Sequence, residues 1–231
     1  MSVLQAVFFD FDGVIADTEP LHLRAYQAVL QADGIDLNKS EYYARYLGYD
    51  DVGLFDALAK DRRISLSNER IDEWVAAKSC IVEEMLSSAS ILFPGAAACV
   101  KMFAERVPLA VASGALEPEI EIVLEQAGLR SSFAAIASAS DGVRGKPAPD
   151  LYLLAMAKLK DRLPDPIDPG ACIAIEDSRW GLEAAQRAGL RCVAVTHTYP
   201  AAELGKTDLV VDTLSDLTFS NIEALIRANP R

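Results

Sequence analysis

The sequence predicts an α/β fold: a doubly wound, Rossmann-like parallel sheet core with an inserted all-helical cap domain. Three observations predict it. Short apolar runs of strand length alternate with helical patterns along most of the chain. Several of those runs are too continuously apolar to leave one face in water, which is how strands of a parallel sheet covered on both sides read. One long interval, residues 18–93, carries helical patterns and no convincing strand. The expected division is therefore residues 1–17 and 94–231 for the core and 18–93 for the cap.

The strand candidates are "LQAVFF" (4–9), "PLAVAS" (108–113), "FAAIAS" (133–138), "CIAIE" (172–176), "RCVAV" (191–195) and "DLVVD" (208–212). Between them the core helices read as "GAAACVKMFAER" (95–106), "EPEIEIVLEQAG" (117–128), "APDLYLLAMAKL" (148–159) and "SRWGLEAAQRAG" (178–189). Gly128 and Gly189 stand where a left-handed residue stops a helix. In the interval, "LHLRAYQAVLQADG", "SEYYARYLG", "DVGLFDALAKD" and "NERIDEWVAAKSCIVEEMLSS" read as the cap helices, and Pro94-Gly95 marks the return to the core. "KDRLPDPIDPG" (160–170) reads as a proline-rich surface connection.

Composition narrows the function classes. The 231 residues, 51% of them hydrophobic, suffice for one large core with a small accessory domain. A net charge of −12 argues against nucleic-acid and anionic-membrane surfaces, which reward clustered Lys and Arg. No apolar run approaches the roughly 20 residues that span a bilayer, and the N-terminus has neither a basic start nor a cleavage signal. A cytoplasmic monomer or weak homo-oligomer is expected, with no nucleic-acid or membrane partner. Cys80, Cys99, Cys172 and Cys192 form no C-x-x-C pair and read as buried small apolar side chains. Trp74 and Trp180 read as packing residues and Lys78 as a solvated lysine.

Chemistry is expected where an open parallel sheet binds its ligands, beyond the carboxyl ends of the strands. The first strand ends in Asp10-Phe11-Asp12-Gly13, the second in Ser113-Gly114 and the fourth in Glu176-Asp177-Ser178, while Gly145-Lys146-Pro147 follows the third. Two aspartates one residue apart repel each other and need a compensating partner. With Glu176 and Asp177 they make a carboxylate concentration of the kind hard cations favour, and Mg²⁺ typically uses one or two carboxylates plus waters and substrate phosphate. A carboxylate approaching a phosphate dianion at about 4 Å meets about 8 kcal/mol of repulsion at an effective dielectric near 20. A divalent cation and the Lys146 ammonium supply the opposing charge, and Ser113 with nearby N–H groups can hold the phosphoryl oxygens. Taken singly, each group has an ordinary reading as turn, cap or surface residue. Their gathering at strand ends has none.

These residues in this order resemble the haloacid dehalogenase-like (HAD) hydrolase superfamily over nearly the whole chain: "DFDGVIADT", "VASG", "GKPAPD" and "IEDSRWGLEAAQRAG" look like its four motifs. The resemblance implies that Asp10 is the nucleophile forming an aspartyl-phosphate and Asp12 the general acid/base. It implies that Ser113, Gly114 and Lys146 hold the phosphoryl group, that Asp10, the Asp12 carbonyl and Asp177 bind Mg²⁺ with Glu176 assisting, and that the helical insert is a mobile cap. Within the superfamily, "DGVIADTEPLH" and "GKPAPD" look most like the β-phosphoglucomutase and sugar-phosphate phosphatase branch. Thr18 and His22 match hinge positions there, the histidine helping to place the acid/base. The mutase carries an arginine shortly after the glycine that here is Gly48, whereas this chain reads "LGYDDVG". Without that guanidinium a second phosphate loses its clamp. The expected function is thus a Mg²⁺-dependent phosphatase of small phosphorylated metabolites, in particular sugar phosphates. The alternatives are a β-phosphoglucomutase-like mutase and, in another class, a non-catalytic phospho-receiver.

Overall fold

In the computed structural model, which describes residues 4–47, 49–87, 91–160 and 166–228, the chain forms two compact units. Met1–Asp17 with Ser90–Arg231 make one and Thr18–Ala89 the other. Residues 91–93, expected in the insert, already pair with the first unit. Asp17 N donates to Ile91 O and Phe93 N to Ile15 O, and Ala16 bridges Leu92 antiparallel.

The first unit is built on six parallel strands in the order β3-β2-β1-β4-β5-β6: β1 Ala6–Phe9, β2 Leu109–Ala112, β3 Phe133–Ala137, β4 Cys172–Glu176, β5 Arg191–Val195 and β6 Leu209–Val211. Period two sorts the side chains. Ala6, Phe8, Ala110, Ala112, Cys172, Ala174, Cys192 and Ala194 pack with Leu151, Tyr152, Leu182 and Ala185 of helices Asp150–Lys160 and Arg179–Arg187. On the other face Phe9 meets Phe103 and Phe133 edge-on, at 6.3 and 5.9 Å between centroids. Helices Ala96–Ala104 and Glu117–Gln126 precede and follow β2. Gly128 and Gly189 take φ of 64° and 87°, as the helix-stop reading required. A further helix, Phe219–Ala228, follows β6 and buries Ile222 and Ile226.

The second unit has no strand among its described residues. Helices Glu19–Gln31, Asp51–Arg62 and Asn68–Leu86 surround an aromatic core of Tyr26, Tyr42, Phe55 and Trp74. Asn38, Asp50 and Ser67 cap helix starts by accepting from Glu41 N, Gly53 N and Arg70 N. "SEYYARYLG" is not one α-helix: Lys39–Glu41 is a single turn and Tyr42–Tyr46 continues as a π-turn. Gly48 lies outside the described residues, as do residues 161–165 of the proline-rich connection.

Two expectations on single residues need correction. Cys80 is exposed, whereas Cys99, Cys172 and Cys192 are buried, and all four are free thiols. Lys78 is buried, not solvated, because Asp51 supplies its counter-charge at 2.9 Å. Trp74 is a packing residue whose indole N–H donates to Asp33, and Trp180 is half-buried against Tyr199. No helix among the described residues is long and apolar enough to cross a membrane.

Candidate active site

Strand period and register bring the acids together. The alternation that buries Ala6 and Phe8 continues to Asp10, and the one that buries Cys172 and Ala174 continues to Glu176. Phe9 is in register with Ile175, and Asp10 N donates to Ile175 O at 3.0 Å, so the two carboxylates leave neighbouring strands at one level. This is the place where the strand order reverses direction, with β2 and β4 flanking β1. Ligand oxygens of Asp10, Glu176 and Asp177 lie within 4.8 Å of one another, all three residues buried.

Lys146 pairs with two of them. Its Nζ is 2.8 Å from Asp10 Oδ1 and 2.6 Å from Glu176 Oε1. The Lys146–Pro147 peptide is cis. Glu176 Oε1 also accepts from the Tyr152 hydroxyl at 2.6 Å, and its carboxylate lies over Gly181, where a Cβ would overlap both carboxyl oxygens. Ser178 caps the following helix by accepting from Gly181 N at 3.1 Å. A glycine at the third helical position is thus what lets a helix start pass over a buried carboxylate.

Asp12 begins the turn after β1. Phe11 O accepts from the N–H groups of Val14, Ile15 and Ala16, and Gly13, at φ 75°, donates to Ala16 O. A Cβ on Gly13 would collide with the Asp177 carboxylate and Thr198. Ser113 is buried at the end of β2 and its Oγ accepts from Ala115 N at 3.1 Å, while Gly114 is exposed with open space where a Cβ would point.

The electrostatics of the cluster favour a cation. Burial and the Asp10 charge raise the Glu176 carboxyl above the carboxylate range, against Lys146. Burial, Asp10 and Asp12 likewise raise Asp177, against the Thr198 hydrogen bond and Lys146. Burial alone would lower the Lys146 ammonium, but Asp10 and Glu176 outweigh it and raise it. Three clustered buried carboxylates, a fourth nearby and one ammonium leave an excess of negative charge, and oxygen donors so placed fit a hard divalent cation.

Thr18 and His22 belong to the helical unit. Thr18 is buried and starts helix Glu19–Gln31, but its hydroxyl does not make the capping bond. The His22 Nδ1 is buried with no hydrogen-bond partner among the described residues, and burial and the Lys78 ammonium, against Asp51, push its pKa down to about 3. The imidazole is therefore neutral at pH 7. Beside it, Asp51 accepts from the Tyr26 hydroxyl at 2.5 Å and pairs with Lys78.

Three residues escaped the sequence reading. Tyr152 sits inside a helical pattern, where an aromatic signals packing. Thr198 and His197 follow β5, the strand end at which the carboxyl-end rule was not applied; Thr198 hydrogen-bonds Asp177, and His197 Nδ1 is 2.9 Å from Gly13 O.

Protein CbbY from a Cupriavidus necator plasmid is 32% identical over 220 residues, covering 90% of this chain and 84% of that protein. Hexitol phosphatase B of Escherichia coli is 32% identical over 223 residues, 95% and 93% of the two chains. The crystal structure of CbbY from Rhodobacter sphaeroides in complex with phosphate superimposes with a TM-score of 0.81 at 28% identity, covering 93% of this chain and 96% of that one. The family model of haloacid dehalogenase-like hydrolase matches residues 4–189, a span that contains all four strand ends of the acidic site, and the chain belongs to that family.

Proposed function

We propose that this hydrolase is a Mg²⁺-dependent phosphatase of small phosphorylated sugars that works through an aspartyl-phosphate on Asp10. The observation that carries the reading is Lys146 Nζ seated between Asp10 and Glu176, beside the further carboxylate of Asp177. An ammonium held against the nucleophile is what an anionic nucleophile attacking an anionic phosphate requires. Hexitol phosphatase B and the phosphate complex of CbbY, as named, support the substrate class.

In this reading Asp10, the Asp12 carbonyl and Asp177, with Glu176, would hold a divalent cation, which would neutralise charge on the nucleophile and on the phosphoryl oxygens. The Asp10 carboxylate attacks phosphorus and the bond to the sugar oxygen breaks. Asp12 gives its proton to that oxygen as it leaves. Lys146 and the Ser113 hydroxyl, with the N–H groups after β2, bind the transferring oxygens. Asp12, now ionised, takes a proton from water as the water attacks phosphorus, which frees inorganic phosphate and regenerates Asp10. The family resemblance supports a part for Thr18 and His22, with the neutral imidazole suited to hydrogen bonding and not to charge.

Replacing Asp10 with Asn is expected to abolish Mg²⁺-dependent phosphate release from p-nitrophenyl phosphate; full retained activity refutes the nucleophile. A panel of sugar phosphates identifies the substrate. β-Glucose 1-phosphate with a bisphosphate primer should yield phosphate and no glucose 6-phosphate, and phosphorylation that persists without turnover would favour a receiver.

A further inference from the structure

The turn that carries Asp12 is held from outside the four motifs. His197 Nδ1 lies 2.9 Å from Gly13 O, and the imidazole stacks on Phe93 with 4.0 Å between centroids and 18° between planes. A carbonyl only accepts, so the ring nitrogen facing it carries the proton and donates. Phe93 in turn donates its N–H to Ile15 O, three residues past Asp12, and Leu92 bridges Ala16. His197 therefore grips the turn directly, through Gly13, and indirectly, through the segment that pairs with its far side. The next residue, Thr198, bonds Asp177 across the space that Gly13 leaves open.

We propose that His197 is a positioning residue for Asp12, fixing the carboxyl that protonates the leaving oxygen. The inference rests on the reading of Asp12 as general acid/base. Asp12 is half-buried and extends from a turn in which Gly13 N donates to Ala16 O, and Val14, Ile15 and Ala16 N donate to Phe11 O. Those bonds close the turn but do not orient it against the sheet. The Gly13 carbonyl is the first backbone acceptor after Asp12, and His197 ties it to the end of β5. Without that donor the Gly13 end of the turn loses its tie while the Ile15–Ala16 end stays fixed to Phe93 and Leu92, and Asp12, next to Gly13, moves more than Asp10, which β4 holds.

The test separates hydrogen bond from stacking and acid from nucleophile. His197→Phe keeps the stack on Phe93 and loses the donor; His197→Asn places an amide N–H where Nδ1 stood. First-turnover release of the leaving group is measured with phenyl phosphate, whose phenolate leaves reluctantly, and p-nitrophenyl phosphate, which needs little protonation. H197F is expected to lose about tenfold on phenyl phosphate, the scale of a sub-ångström shift given that 1 Å costs about 100-fold. It should lose little on p-nitrophenyl phosphate, with KM unchanged, and H197N should retain both rates. Equal losses on the two esters, or wild-type rates in H197F, overturn the inference. If H197F does not fold, as judged by far-UV circular dichroism, His197→Ala takes its place in the same comparison. A wild-type chain that releases no phosphate from either ester overturns the phosphatase reading and this inference with it, whereas a turning-over wild type matched by H197F overturns this inference alone.

Discussion

Lys146 Nζ lies 2.8 Å from Asp10 Oδ1, although 136 residues separate the two in the chain. The pair joins the first strand to the segment after the third and sets the charge at the proposed nucleophile. Replacing Lys146 with Met removes the cation from a site where Asp10, Glu176 and Asp177 are all buried. Activity should fall by about 10²–10³-fold, the usual cost of a lost transition-state donor. Stability at neutral pH should fall by about 3–5 kcal/mol, as for a buried pair stripped of one partner. Urea unfolding checks the second figure, and the loss should shrink in acid as the carboxyls take up protons.

The raised Glu176 and Asp177 carboxyls give the metal-free protein a definite pH dependence. Their folded-state values stand above those of the unfolded chain, so between the two the folded state holds protons that the unfolded chain has released. Stability therefore falls as pH rises from the ordinary carboxylate range near about pH 4 through the raised values. A cation bound by the ionised forms opposes this. Urea midpoints should decline across that window without Mg²⁺ and flatten or rise with millimolar Mg²⁺; identical profiles would remove the case for a metal at these acids.

Gly181→Ala sets two effects against each other. Helix propensity favours Ala by about 1 kcal/mol. The new Cβ, however, would overlap the Glu176 carboxyl, which Lys146 and Tyr152 already hold in place. Overpacking of this kind costs about 1–3 kcal/mol and should win. The variant is expected to melt lower than wild type and to lose phosphatase activity, since Glu176 must shift away from Lys146.

Asp51→Ala should be among the more damaging changes in the helical unit. Lys78, whose side chain is 4% exposed, would keep its charge and lose its partner, and the Tyr26 hydroxyl would lose its acceptor. A loss of about 3–5 kcal/mol is expected in urea unfolding. Adding Lys78→Met to Asp51→Ala should recover part of it, because the unpaired charge is gone.

Much of this was legible in the chain. β4 and β5 occupy the residues their apolar runs mark, and β1, β2, β3 and β6 are trimmed by one or two residues at their ends. Asp10, Lys146, Glu176 and Asp177 lie together because the carboxyl ends of parallel strands share one edge. Lys78 was misread because a lysine in a helical pattern carries no sign of the partner that buries it; Asp51, 27 residues away, is what decides. Tyr152 was hidden for the reverse reason, its ring satisfying the packing pattern while its hydroxyl reaches Glu176.

Periodicity determined the sheet, the insert and the edge where the acids meet, since burial of apolar faces depends only on which residues recur at what spacing. The pairing of particular polar atoms was decided by the folded structure alone. Which carboxylate meets Lys146, which carbonyl meets His197 and which glycine makes room for Glu176 depend on register and close approach between segments far apart in sequence. Hydrogen bonds and ion pairs are set by distances of an ångström or less, and a one-dimensional pattern does not carry them.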